Sequence, residues 1–168
     1  MRASIFRYSY EIGIALTIIV GIVLSIGYTV PLKYFELGKA EYKSLSGILL
    51  CVFIFDQWRI SRLRFGKKNA KDIRAEVHFH KLFGLAGPIL FFMHAQRLGH
   101  GYFALLTICY FAVFIGGVFH DKIVAMKKPL LVRLSLIAHI TFATILLGVI
   151  FFHIYSVAYF GLVAKSQL

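Results

Sequence analysis

The order of apolar and polar positions predicts five membrane-crossing helices, over about residues 11–33, 44–60, 77–97, 102–120 and 131–162. A helix rises 1.5 Å per residue, so a hydrocarbon core of about 30 Å asks for about 20 apolar residues in a row. The second stretch is strongly apolar only from Leu45 to Phe55, with Trp58 where an interfacial aromatic belongs. The fifth is long enough to tilt or to project beyond the lipid. The first follows Arg2 and Arg7 and runs from Ile12 to Val30 before meeting Pro31. That is longer than the core of a cleavable signal, and a retained helix is expected. No soluble domain fits between the stretches. The expected fold is all-α, an integral membrane helical bundle forming a single transmembrane domain over residues 1–168.

Composition strengthens this reading. Hydrophobic residues make up 60% of the chain and charged residues 15%, with a mean hydropathy of +0.80; a soluble domain carries about 25% charged residues. The charge that remains is lopsided. Arg59, Arg62, Arg64, Lys67, Lys68, Lys71 and Arg74 lie between the second and third stretches, and Lys122, Lys127, Lys128 and Arg133 between the fourth and fifth. With Arg2, Arg7 and Lys81 that is 14 of the 19 basic residues on one side, leaving Lys33, Lys39, Lys43, Arg97 and Lys165 on the other. Basic loops stay inside, so the N-terminus is expected in the cytoplasm and the C-terminus outside. The net charge of +12 thereby belongs to topology and anionic lipid. No nucleic-acid partner is expected, because no binding module accompanies the charge. Cys51 and Cys109 show neither CxxC nor CxxCH spacing and read as packed thiols, with a disulfide between them left open.

Against this background the histidines stand out. "HKLFGLAGPILFFMH", residues 80 to 94, and "HITFATILLGVIFFH", residues 139 to 153, each begin and end with one. On a helix, fourteen residues turn about 1400°, within about 40° of four revolutions, and advance about 21 Å. His80 and His94 therefore share a face near opposite boundaries of the lipid, as do His139 and His153. Seven histidines would supply about 0.2 pairs at any one spacing by chance, and here there are two. Both helices run in the same direction, so His80 falls level with His139 and His94 with His153. Two cross-helix pairs at two depths suit axial ligation of two non-covalent haems b. One ion cannot be shared by ligands so far apart, which disfavours a zinc site. Histidines in membrane spans also serve as proton relays or line cavities, so a haem-free transporter or structural subunit is the rival of another class.

Residues nearby add candidates. Gly84 and Gly87 lie on the ligand face of the third helix and leave room for a macrocycle or a close helix. Pro88 should kink that helix and release the Gly84 carbonyl. Arg97 follows His94 by one turn and is placed either to meet a propionate or to snorkel; Arg74, Arg133 and Lys81 share the ambiguity at the inner level. His78, His100 and His120 read as interfacial, with His100, His120 and Asp56 as candidate proton carriers.

The first histidine stretch resembles the H-(K/R)-L-x-G…H helix of the ferric-reductase-like transmembrane domain, found in metalloreductases and NADPH oxidases. The likeness covers about residues 77–160 and implies two haems b between the third and fifth spans, ligated by His80, His94, His139 and His153. That family normally adds a sixth span and often a flavin and nicotinamide domain, neither of which is among these 168 residues. Its oxidases typically use a spacing one shorter in the fifth span. The stretch "HAQRLGHGY" is also similar to a ligand helix of quinol-oxidising cytochrome b, whose two ligand helices both use fourteen. Cytochrome b561-like proteins and hydrogenase-type cytochrome b subunits belong to the same set of resemblances. Together they imply a di-haem cytochrome b in a bacterial cytoplasmic membrane. It would exchange electrons with quinone or with a flavoprotein, iron–sulfur or multihaem partner subunit. A self-sufficient ferric or quinone reductase is the nearer alternative.

Overall fold

A computed structural model describes residues 9–27, 38–60, 70–95 and 97–166. The outer end of the first predicted span, to Lys33, lies outside the described residues, as do Arg2, Arg7, Arg62, Arg64, Lys67 and Lys68. The described residues are helical and include no strand. Six helices follow in order: α1 Ser9–Ser25, α2 Lys39–Gln57, α3 Ala70–Gly84, α4 Gly87–Ala95, α5 Tyr102–Ala125 and α6 Pro129–Ser166. The chain divides into two compact units, Met1–Leu98 and Gly99–Leu168.

In the first unit α4 packs against both α1 and α2. Its core draws Val20 and Leu24 from α1, Tyr42, Leu50 and Phe53 from α2, and Pro88 and Phe91 from α4. Contacts along α2 show that it runs antiparallel to α3 and α4. Tyr42 reaches Met93, the Phe53 and Phe83 rings lie 5.0 Å apart, and Arg59 reaches Glu76. Both arms begin earlier than hydropathy indicates. α2 starts at Lys39 rather than 44, with Glu41 Oε2 accepting from the Gly38 amide at 3.0 Å to satisfy one otherwise partnerless donor. α3 starts at Ala70 rather than 77, through polar turns that no lipid-facing pattern marks.

The third predicted span is two helices, not one. Leu85 and Ala86 form turns, their amides reaching back three residues to Leu82 and Phe83 at 3.3 and 3.1 Å. The cause is Pro88, which has no amide to offer the Gly84 carbonyl and whose ring crowds that turn. Pro88 is fully buried as the second residue of α4, a position that tolerates its fixed φ. Gly84 closes α3 and Gly87 opens α4, so both flank the interruption and do not lie along one continuous face.

The second unit is a helical hairpin. α5 begins after Gly101, whose φ of 59° turns the chain into it. Met126, Lys127 and Lys128 connect α5 to α6, with Lys127 at φ 54° and Pro129 as the first residue of α6. α6 is unbroken for 38 residues, about 57 Å at helical rise.

α5 and α6 are long and apolar enough to cross a membrane. Only 17% and 6% of their most apolar windows are buried inside the protein, the reverse of a soluble core helix. Side chains such as Leu134, Ile137, Phe151, Val157 and Phe160 are more than half exposed. Hydroxyls behave as they do where water is scarce. Thr17, Ser25, Ser46, Thr107, Thr144 and Ser156 each donate to the carbonyl four residues earlier, at 2.8 to 3.0 Å.

Candidate functional site

Each unit carries two of the four matched histidines on the second arm of a helical hairpin, and in each the first arm braces them. Tyr42, Lys43, Ser46 and Gly47 occupy one face of α2, at i, i+1, i+4 and i+5, and all meet the end of α4. The Tyr42 hydroxyl donates to the Met93 carbonyl at 2.8 Å, and the Lys43 ammonium donates to the His94 carbonyl. These carbonyls fall in the last helical turn, where no intrahelical amide is left for them. Two α2 side chains thus supply the end of α4. Ser46 Oγ lies 3.3 Å from His94 Nδ1. The His94 ring points its Nδ1–Cε1–Nε2 edge at α2, so that a Cβ at Gly47 would come within 2.9 Å of Cε1, 3.3 Å of Nδ1 and 3.7 Å of Nε2.

His80 stands one turn from Glu76 and one turn from Gly84, on a single i, i+4, i+8 row of α3. That row faces the far end of α2. Glu76 accepts from Arg59 at 2.6 Å, and the Gln57 side-chain oxygen lies 3.6 Å from where a Gly84 Cβ would be. Arg59 also lies over the Phe79 ring at 4.7 Å and 3.9 Å from Asp56. Fourteen-residue arithmetic does not carry across the break at 85–86. His80 and His94 nevertheless both belong to surfaces turned toward α2, because each half of the broken arm packs there separately.

On the unbroken α6 the arithmetic holds as stated. His139 sits against the glycine pair of α5, its Nδ1 and Cε1 each 3.6 Å from where a Gly116 or Gly117 Cβ would stand. His153 meets the other end of α5, 5.5 Å from the Phe103 ring in a T-shaped contact and 6.2 Å from Tyr102. Both histidines therefore address the same neighbouring helix, at levels about 21 Å apart.

One feature recurs in all four. Each ring is half-buried. The Nδ1 atoms of His80, His139 and His153 are shielded from solvent, and that of His94 lies on Ser46. Nε2 is the other ring nitrogen, and at His94 it too lies near α2, 3.7 Å from where a Gly47 Cβ would stand. Bis-histidine haem ligation needs such rings, neutral, held by the protein at Nδ1 and presenting an Nε2 lone pair. His94 has its Nδ1 contact in Ser46, and the other three offer half-buried imidazoles whose Nδ1 atoms are shielded from solvent. Among the described residues no group of three or more His, Cys, Asp or Glu side chains gathers as it would around a metal ion; a haem iron asks the protein for only two.

The other candidates fall as follows. Gly87 is buried at the start of α4, and Gly84 faces Gln57, whose buried side-chain nitrogen has no hydrogen-bond partner among the described residues. Arg97 is exposed in a bend beyond α4, as are Arg74 on α3 and Arg133 on α6. Lys81 is half-buried. His78 and His100 are exposed, and His120 is half-buried. Cys51 and Cys109 are free thiols. Sequence reasoning missed the two braces, Ser46–Gly47 on α2 and Gly116–Gly117 on α5. The signals were present: a polar face Tyr42, Lys43, Ser46 entering an apolar run, and a glycine doublet in the middle of another.

Comparison with protein-family models, with characterised proteins and with solved structures found no match.

Proposed function

We propose that the protein is an integral membrane cytochrome of b type. It binds two haems, with His80 and His139 as one pair of axial ligands and His94 and His153 as the other. The membrane is a bacterial cytoplasmic membrane. Five helical crossings keep the basic loops, around Arg59 to Arg74 and Lys122 to Arg133, on the cytoplasmic side. The chain acts as the electron-transferring subunit of a larger redox complex, exchanging electrons with quinone or a partner subunit.

The observation that carries this reading is the matched placement of the four imidazoles. Two pairs share a spacing of fourteen, all four rings are half-buried, and those of His94, His139 and His153 rest on the first arm of their own hairpin. Haem supplies reversible one-electron chemistry at its iron when bound. The chain supplies the rest. α3, α4 and α6 hold the imidazoles, and α2 and α5 fix their tilt through Ser46, Gly47, Gly116 and Gly117. Apolar side chains along α5 and α6 keep water from the interior, which favours neutral rings that can ligate.

A second reading takes the same histidines, with His120 on α5, as a haem-free relay. Purifying the full chain from cells supplied with haem separates the two. A reduced-minus-oxidised spectrum of bis-histidine haem b, with two haems per chain, is expected. A colourless, folded protein would discard the cytochrome and leave the relay.

A further inference from the structure

The hydrogen bonds around Ser46 have a direction that fixes the chemistry of His94. A serine hydroxyl owns one proton. That of Ser46 is committed to backbone carbonyls of its own helix, at 2.8 Å to Tyr42 and 3.2 Å to Lys43. Toward His94 Nδ1, at 3.3 Å, the oxygen is then left with lone pairs only. A contact between the two is a hydrogen bond only if Nδ1 carries the proton. Ser46 is 6% exposed, so water does not compete for its oxygen. A neutral imidazole protonated on Nδ1 has its lone pair on Nε2.

We infer that Ser46 is a positioning residue for His94. It holds the imidazole as the Nδ1–H tautomer and, by accepting that proton, raises the donor strength of Nε2 toward a haem iron. This rests on the cytochrome reading for its consequence, although the tautomer itself does not. Gly47 completes the device, since only glycine at that position lets the ring lie close enough to α2 for Ser46 to reach it. His139 is braced differently, against the two glycines of α5. The two ligand levels are therefore tuned by different groups. A change at Ser46 acts on one of them alone.

The test compares Ser46→Ala and Ser46→Thr in the full chain by redox titration of the two haems. Removing the acceptor from Nδ1–H makes the imidazole a weaker donor to ferric iron. Ser46→Ala is therefore expected to raise one midpoint potential, leave the other in place, and lower retention of that haem 10- to 100-fold, the usual range for such outer ligands. Ser46→Thr, which keeps the hydroxyl, is expected to restore both. Two unchanged potentials in Ser46→Ala, or a shift that Ser46→Thr fails to reverse, would overturn the inference while leaving the cytochrome intact. If the wild-type chain carries no haem, the functional reading falls by itself. Histidine 15N shifts of that haem-free chain then decide the matter. Nδ1–H at His94, lost to a mixture in Ser46→Ala, sustains the assignment; Nε2–H overturns it.

Discussion

Replacing Gly47 with alanine sets two effects against each other. A glycine inside a helix costs about 1 kcal/mol relative to alanine, so propensity alone would make the variant more stable. The new Cβ, however, would stand 2.9 Å from His94 Cε1 and 3.3 Å from its Nδ1. Carbon atoms in ordinary contact sit about 3.5–4.0 Å apart, so the ring must retreat by about 0.6–1.1 Å. The Ser46 contact, at 3.3 Å, is already long for a hydrogen bond and does not survive that retreat. The expected result is a chain that folds but retains one haem in place of two, or holds the second 10- to 100-fold more weakly. Gly116→Ala and Gly117→Ala are the matched comparisons. Their Cβ atoms would lie 3.6 Å from the His139 ring, ordinary contact that asks for no movement. Gly148→Ala, with open space around it, is the control for propensity alone. Haem per chain, measured as the pyridine adduct, reads the series directly. A Gly47→Ala protein with two haems held as tightly as wild type would refute the reasoning from close approach.

Pro88→Ala restores an amide opposite the Gly84 carbonyl, and amide hydrogen exchange over residues 85–89 is expected to slow as the turn between α3 and α4 closes; unchanged exchange would mean that proline is not the cause of the break. The Arg59–Glu76 pair is part-exposed, with side-chain exposures of 37% and 27%, so Glu76→Gln is expected to cost no more than about 1 kcal/mol in thermal or denaturant unfolding. A loss of about 3 kcal/mol or more would show that the pair is buried in the native protein and that its charges depend on each other.

The helices that sequence describes best are those whose whole length is apolar. α5 and α6 emerge close to their predicted bounds, and His139 and His153 fall on one face of α6 because nothing interrupts its 3.6-residue period. α2 and α3 start earlier than expected because their first turns, Lys39–Lys43 and Ala70–Glu76, are held by capping and by the Arg59–Glu76 pair rather than by burial in lipid. Hydropathy cannot register such turns. Pro88 announced a kink, and its position determined where, but whether a helix bends or breaks depends on what packs on either side. Spacing alone brought out the four histidines. What each ring rests on was not legible, since it depends on contacts between elements far apart in the chain, such as Ser46 with His94.

The pairing of ligands is tested most directly by redox titration of four single variants, His80→Ala, His94→Ala, His139→Ala and His153→Ala. Two groups of two are expected. His80→Ala and His139→Ala lose the same haem, identified by its midpoint potential, while His94→Ala and His153→Ala lose the other. Four variants that all keep both haems at wild-type potentials would contradict the account, whatever else the protein turned out to do.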